Sequence, residues 1–175
     1  MTRRIAAVTL LALAACAPKQ ETPEQMAARM KAESDSAKAA IEALQGRFLQ
    51  YVAAGKADSA ASVYAEDAVF SYGNGPEAKG RQAIQTMLTQ MFSYGTWQIT
   101  GTTLRVDVNG PLAVEQGAYV ENFKAGPHAP AGMQAAFPDT GQYLTELRKV
   151  NGAWLIAADF GNSGRAAPAP SAKKH

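Results

Sequence analysis

The chain has 175 residues, of which 47% are hydrophobic, and it carries one cysteine and a formal charge of +2. This length suits one domain of ~100–150 residues with a core, together with terminal segments, and excludes a second domain. Removal of Arg3 and Arg4 with an N-terminal signal leaves equal numbers of basic and acidic residues. Because nucleic-acid binding depends on a basic footprint, we expect no nucleic-acid partner.

The first 16 residues, MTRRIAAVTLLALAAC, follow the order of a secretory signal: two arginines, an apolar run and small residues before a cysteine. The apolar run is shorter than the ~20 residues that span a bilayer. The segment resembles the bacterial lipobox, which implies that the Cys16 thiol receives a diacylglyceryl group and anchors the chain to a membrane. The alternative is an ordinary signal peptide with an incidental cysteine. By resemblance to the enterobacterial sorting pattern, Ala17 in the next position favours the outer membrane of a bacterial cell envelope over the inner one, with the domain facing the periplasm.

The sequence predicts four segments: a lipoprotein signal peptide (1–15), a lipidated tether with a helical extension (16–35), one domain (36–163) and a disordered tail (164–175). The tether is polar and contains two prolines. A helical pattern starts at Glu24 but is weak at first, which is typical of a frayed or separate helix. The tail is rich in alanine, proline and charge.

Two amphipathic helical patterns open the domain. Asp58 is predicted to be the N-cap of the second helix, with Tyr64 on its apolar face, and Asp67 to end it. A strand is then predicted over 68–72. Gly55 is predicted to end the first helix, because glycine readily adopts the left-handed conformation of a final turn. Residues three and four apart form the apolar stripe of the first helix: Ile41, Leu44, Phe48, Tyr51 and Val52.

A third helix is predicted over 81–92, after a turn at Asn74-Gly75-Pro76 and a hinge or cap at Gly80. From Trp97 onward the hydrophobic period becomes that of extended chain. Alternating, Thr- and Val-rich segments predict four strands, over 97–108, 112–123, 142–150 and 153–160.

Two Asn-Gly pairs, at 109–110 and 151–152, lie between these strands and predict two hairpins, because both residues tolerate positive φ. The sheet is therefore expected to be mostly antiparallel. The long segment 125–141 separates the hairpins, and Met133 and Phe137 give it side chains to bury. We interpret it as a flap over the sheet.

With these elements in order, residues 38–163 resemble the nuclear transport factor 2-like superfamily, in particular its SnoaL-like and ketosteroid isomerase-related branch. The resemblance implies an α+β fold in which a cone-shaped, curved, mostly antiparallel sheet wraps around three helices and leaves an apolar cavity. It also implies a homodimer through the outer face of the sheet. The matching pieces are Phe48-(x)6-Gly55-(x)2-Asp58, Tyr64 to Phe70, Gly80-Arg81-(x)2-Ile84, Gly117-Ala118-Tyr119, Gly141-Gln142-Tyr143-Leu144, Asn151-Gly152-Ala153-Trp154 and Asp159.

In the isomerase branch, a tyrosine on the first helix and an acid on a later strand form an oxyanion hole, and an aspartate after the first strand moves the proton. The resemblance places Phe48 at the tyrosine, Tyr72 at the aspartate and Glu146 at the second acid. Phe48 has no hydroxyl to donate, and a phenol with a pKa of ~10 is a poor base near neutral pH. The isomerase mechanism of that branch is therefore not expected here.

No cofactor or metal is expected. The sequence has two histidines, His128 in the predicted flap and His175 at the terminus, and neither belongs to a His-and-carboxylate cluster or a Ser-His-Asp set. No Gly-rich phosphate-binding loop is present.

Glu146 and Asp159 are the acids that we consider for acid or base catalysis, because they fall on the last two strands of the sheet. The alternative is structural: Glu146 pairs with Arg148 or Arg105 on the exposed face, and Asp159 accepts hydrogen bonds from loop amides. Structural ion pairs and caps are commoner than catalytic acids.

The sequence favours a lipid-anchored domain that binds a small apolar ligand or self-associates over a catalyst. The alternative is an isomerase, cyclase or lyase of a small lipophilic substrate that uses Glu146 or Asp159. A buried carboxyl in a cavity, beside a tyrosine and without a cationic partner, would favour the enzyme. Seven side chains are candidates for the pocket lining, although such spacings also suit a core: Phe48, Val52, Tyr64, Tyr72, Trp97, Tyr119 and Phe160.

Overall fold

The computed structural model describes residues 21–72 and 75–164. The predicted signal peptide, the lipidation site Cys16 and all but the first residue of the predicted tail lie outside these ranges. Asn74, the first residue of the predicted turn, and Gly73 before it also lie outside the described ranges. Within the described ranges, no helix has the length and apolar composition needed to cross a bilayer.

The described residues form three α-helices, one short 3-10 helix and six strands. The helices are α1 (Pro23–Ala53), α2 (Ala57–Ala61) and α3 (Arg81–Ser93), and the 3-10 helix spans Met133–Ala136. The strands are β1 (Tyr64–Tyr72), β2 (Ala78–Lys79), β3 (Gly95–Asn109), β4 (Leu112–Ala125), β5 (Asp139–Val150) and β6 (Ala153–Ser163).

The strands form one sheet in the order β2-β1-β6-β5-β4-β3. β1 pairs in parallel with β6, and every other neighbouring pair among these strands is antiparallel. The sheet is curved and unclosed, with the helices against its inner face. The predicted α+β class with a mostly antiparallel sheet around three helices is confirmed.

The first helix is continuous from the extension into the domain, with no break near residue 35. It begins with a capping box, in which the Thr22 hydroxyl accepts from the Gln25 amide at 3.2 Å and the Gln25 side chain accepts from the Thr22 amide at 3.0 Å. It ends at Ala53, just before Gly55, whose φ of +64° confirms the predicted left-handed stop. The first turns are exposed, and Met30 is 60% exposed.

The predicted boundary between the second helix and the first strand is wrong. α2 starts two residues earlier than an N-cap at Asp58 would place it, its N-cap is Lys56, and it ends at Ala61, well before Asp67. Tyr64 lies on β1 instead of a helix. The reason is a tertiary contact that local sequence does not encode: the Ile156 amide donates to the Val63 carbonyl at 2.9 Å and starts the parallel pairing with β6.

Both hairpins are present, but their loops differ. Asn151 and Gly152 both have positive φ, as predicted for the β5–β6 turn. In the β3–β4 hairpin the loop is Gly110-Pro111, one residue later than predicted, because Asn109 still pairs with Leu112. Gly110 takes the positive φ, and the ring of the following proline fixes a negative one.

A small second core holds the flap. Val52, Trp97 and Phe123 are buried together, and Met133 and Phe137 of the flap pack against them. The Gln134 amide fastens the flap to β4, because it donates to the Phe123 carbonyl and accepts from the Ala125 amide, each at 2.7 Å. The predicted flap is confirmed, and β5 starts at Asp139 rather than at 142. The larger core, between the helices and the inner face, includes Ile41, Leu44, Tyr64, Ile84, Leu88, Leu147 and Ile156.

Candidate functional site

A cavity of about 500 Å³ lies between the helices, the inner face of the sheet and the flap. This volume is within the range of small-molecule sites, so the cone is not filled by its own side chains. No lysine, arginine or histidine of the described residues lines the cavity. The lining is mainly apolar and aromatic and includes Phe48, Leu49, Val52, Phe70, Met87, Met91, Trp97, Ile99 and Phe137.

Asp159 of β6 supplies a buried carboxyl to this cavity. Its side chain is 7% exposed, the Tyr64 hydroxyl donates to Oδ2 at 2.8 Å, and the Thr145 hydroxyl donates to Oδ1 at 3.3 Å. Burial, which disfavours the charged form, raises the pKa of Asp159 to about 6, although the two hydrogen bonds oppose this effect. Asp159 is therefore a group that gains and loses a proton near neutral pH inside an apolar site.

Tyr72 lies beside this carboxyl. It pairs with Gly161, two residues beyond Asp159 on the same face of β6, and its ring stacks on Phe70 with 5.3 Å between the centroids. Burial, and then the charge of Asp159, raise the pKa of the Tyr72 phenol, so the hydroxyl keeps its proton. It has no hydrogen-bond partner among the described residues, which leaves it available to donate to a ligand.

Two more phenols lie on the floor of the cavity, and each covers a glycine of the neighbouring strand. Tyr119 of β4 is opposite Gly141 of β5, and Tyr143 of β5 is opposite Gly117 of β4. A Cβ at Gly117 would lie 2.2 Å from Cζ of Tyr143, and one at Gly141 would lie 2.5 Å from the Tyr119 hydroxyl. Only glycine leaves room for the rings here.

A second buried carboxyl, Glu115, lies below Tyr143. It is 1% exposed and accepts hydrogen bonds on Oε1 from the hydroxyls of Thr103, at 2.7 Å, and Tyr143, at 2.9 Å. Burial raises the pKa of Glu115, and the two hydrogen bonds oppose the increase. Glu115 does not line the cavity, so it reaches the cavity only through Tyr143.

Glu121 and Asp139 also line the cavity and lie directly opposite each other on β4 and β5. Burial, and then the charge of Asp139, raise the pKa of Glu121 to about 7. Asp139 accepts from the Ser163 hydroxyl at 2.6 Å and from the Thr140 amide at 2.8 Å. Glu121 is thus a second cavity carboxyl, besides Asp159, with a raised pKa.

Five of the seven predicted pocket residues line the cavity: Phe48, Val52, Tyr72, Trp97 and Tyr119. Tyr64 does not line it, but it is buried in the core and its hydroxyl holds Asp159.

Phe160 and Glu146 require correction. Phe160 is 43% exposed and does not line the cavity, because it alternates with Asp159 and so points to the outer face of β6. Glu146 is likewise exposed, between the buried Thr145 and Leu147 of β5, so it is excluded as a cavity acid. Neither predicted arginine pairing of Glu146 occurs. Arg148 binds Asp67, and Arg105 binds Asp107.

The sequence singles out neither Glu115 nor Glu121. Apolar residues of β4 such as Leu112 and Val114 are exposed, whereas its acids point inward, so the pattern of apolar residues does not mark the inner face of this strand. One signal was available: Gly-x-Tyr occurs on both β4 and β5, and a glycine opposite a tyrosine on the inner face marks a floor of phenols.

Among residues 21–72 and 75–164, no group of three or more His, Cys, Asp or Glu side chains is arranged to hold a metal ion.

Comparison with known families decides the relationship that the fold suggests. The SnoaL-like domain family matches residues 33–158. The chain belongs to this family. The predicted SnoaL-like relationship is thereby confirmed, and the cavity described above is the cavity of a SnoaL-like domain. No curated protein matches the sequence.

Solved structures share the fold of this SnoaL-like domain at low sequence identity. A putative scytalone dehydratase from Novosphingobium aromaticivorans has a TM-score of 0.66 and 17% identity over 82% of this chain and 99% of that chain. A nuclear transport factor 2-like protein from the same organism, described as having a cystatin-like fold, has a TM-score of 0.63 and 16% identity over 84% and 93%. A ketosteroid isomerase-like protein from Erwinia carotovora atroseptica has a TM-score of 0.59 and 18% identity over 73% and 96%.

Proposed function

We propose that this SnoaL-like domain is an enzyme that moves a proton on a small, largely apolar carbonyl compound, as an isomerase or a dehydratase. The observation that carries the proposal is Asp159: a buried carboxyl in an open cavity, held by Tyr64, with a pKa of about 6. A general base with a pKa near the working pH is close to the optimum for proton transfer.

The chemistry needs two groups, and the cavity provides both. The Asp159 carboxylate removes a proton from the carbon next to a carbonyl, and the Tyr72 hydroxyl donates to the oxygen that gains charge. Return of the proton to another carbon completes an isomerisation. Departure of a β-hydroxyl group with that proton, as water, completes a dehydration. Of the two acids predicted from the sequence, Asp159 and not Glu146 is the base of this proposal, and the side chain of Phe48 contributes only to the apolar wall of the cavity.

Hydrogen exchange tests the proposal without knowledge of the natural substrate. The probe is β-tetralone in D₂O, and NMR measures the loss of its α-protons with and without the protein. We expect exchange to be accelerated, to rise with pH through about 6 as Asp159 ionises, and to be lost in Asp159→Asn. The matched control is Glu146→Gln, which neutralises an exposed acid on the neighbouring strand and should keep the full rate.

Exchange that is equal in wild type and Asp159→Asn, or absent across a panel of cyclic ketones, would argue against catalysis. A binding protein is then the second candidate. One observation favours it: both oxygens of Asp159 already accept hydrogen bonds from the protein, as a purely structural carboxyl would. Native mass spectrometry of protein from its own host would reveal a retained apolar ligand.

We further propose that the domain pairs with a second copy through the outer face of the sheet. Leu144 and Phe160 lie directly opposite each other there and are exposed by 47% and 43%, and the exposed Val114 lies diagonally across from Leu144 on β4, two residues before Gln116. Exposed apolar side chains that cluster in this way are typical of an interaction surface.

We also propose export and lipid attachment at Cys16, on the strength of the charged, apolar and small-residue order of the first 16 residues. Incorporation of labelled palmitate tests this. Wild type should carry the label and fractionate with the outer membrane, whereas Cys16→Ser should carry none. Unlabelled wild type would favour an ordinary signal peptide.

A further inference from the structure

Three buried polar side chains form one row across the inner face of the sheet. Glu115 on β4 lies directly opposite Thr145 on β5, and Thr145 lies directly opposite Asp159 on β6. All three are almost completely buried. Neighbouring strands are ~5 Å apart, so the two carboxyl-bearing residues are separated by roughly 10 Å of protein interior.

Hydrogen bonds join residues of this row to each other and to the cavity floor. Within the row the Thr145 hydroxyl donates to Asp159. At the β4 end Glu115 accepts from Tyr143, which lies two residues before Thr145 on the same face and lines the cavity. The phenol of Tyr143 is therefore fixed between a carboxyl below the floor and the space that a substrate would occupy.

We propose that Glu115 is a positioning residue for the Asp159 site: it fixes Tyr143 on the cavity floor, and its charge acts on Asp159 across Thr145. A role of Glu115 in catalysis rests on the proposed function, but the electrostatic coupling between Glu115 and Asp159 can be measured without a substrate. In a buried environment such an interaction is weakly screened.

Other ionisable groups face the row from the elements around it. Glu42 of α1 acts on Glu115, Tyr64 of β1 donates a hydrogen bond to Asp159, and the charge of Asp159 acts on the Tyr72 phenol of β1. Burial is the main cause that raises the pKa of Asp159, and the charge of Glu115 raises it further. The two carboxyls are expected to titrate as an interacting pair.

Carboxyl ¹³C NMR titration of the protein tests this coupling directly. Glu115→Gln keeps an oxygen for the Thr103 and Tyr143 hydroxyls but removes the charge, so we expect the Asp159 midpoint to move to lower pH. Because coupling is reciprocal, Asp159→Asn should also lower the midpoint of Glu115. Glu146→Gln, which neutralises an exposed acid next to Thr145 in sequence, should leave the Asp159 midpoint in place.

An unchanged Asp159 midpoint in folded Glu115→Gln would overturn the proposal. If that variant does not fold, an unchanged Glu115 midpoint in Asp159→Asn would overturn it equally. For any ketone that wild type exchanges, the pH–rate profile of Glu115→Gln should shift to lower pH with the midpoint. Coupled titration without exchange would count against the proposed function alone, and exchange with uncoupled titration would count against the role of Glu115 alone.

Discussion

Tyr72 lies flat on Gly161, two residues beyond Asp159 on the inner face of β6. A Cβ at this glycine would be 2.1 Å from Cζ and 2.4 Å from each Cε of the tyrosine, so the face of the ring covers the backbone. This contact brings the Tyr72 phenol close to the buried carboxyl. The absence of a side chain at Gly161 therefore allows the Tyr72 ring to take this position.

Substitution of this glycine should therefore disturb both stability and activity. Gly161→Ala is expected to lower the free energy of unfolding by about 1–3 kcal/mol, because the ring has to move out of a packed position, and to slow ketone exchange. Urea denaturation measures the first effect. Gly46→Ala is the control, since a Cβ there meets nothing within 4 Å, and alanine should stabilise α1 by roughly 0.5–1 kcal/mol. Equal stability of Gly161→Ala and wild type would mean that the contact is not tight.

The ionisation of Asp159 should make the fold less stable as pH rises. The folded carboxyl has a pKa of about 6 against 3.8 for the exposed group, so the folded state binds the proton more tightly. The stabilising contribution is complete below pH 3.8 and is lost as pH rises to about 6, a loss on the order of 3 kcal/mol. Asp159→Asn should flatten this part of the stability curve. The same downward slope in the variant would assign it to other groups, such as Glu121.

The flap should open more often when the two hydrogen bonds between the Gln134 side chain and β4 are removed. Gln134→Ala takes away two hydrogen bonds to the end of β4, and a loss of about 0.5–1.5 kcal/mol for each predicts a loss of protection of roughly fivefold or more. Hydrogen–deuterium exchange over 126–138 measures this effect. Gln98→Ala, at an exposed position of β3, is the control. Protection that is the same in both variants would show that Met133 and Phe137 hold the flap by themselves.

A lysine on the outer face should separate the proposed dimer. Leu144→Lys places a charge at the centre of the exposed apolar cluster, and a buried unpaired charge is strongly unfavourable at an interface. Native mass spectrometry of the chain without its first 16 residues should then show a dimer for wild type and a monomer for the variant. Met30→Lys, at a 60% exposed position of α1, should remain dimeric. A monomeric wild type would refute the interface.

The sequence predicted those parts of the fold that depend on local backbone preference. Asn151-Gly152 encodes its turn, because both residues tolerate the positive φ that it needs. Gly55 ends α1 for the same reason. The local pattern places Tyr64 on a helix, because the strand that contains it depends on pairing with β6, more than 90 residues later in the chain.

The candidate site was predicted only in part, because the face of each strand depends on packing. Asp159 and Glu146 are equally plausible acids in the sequence, yet one is buried in the cavity and the other is exposed. A register shift between Glu146 and Leu147 moves the pairing of β5 and β6 by one residue, and a shift of that size changes which residues are neighbours. The raised pKa values of Glu115 and Glu121 depend on burial, which sequence pattern did not reveal.

The contacts of Tyr119 with Gly141 and of Tyr143 with Gly117 help to set the register, or alignment, of β4 against β5. At the start of β4 a slip by one position would bury Leu112 and Val114 in place of Glu115. In that slipped alignment each phenol would meet a neighbour that carries a Cβ. The two rings and two glycines therefore favour the native alignment over the slipped one.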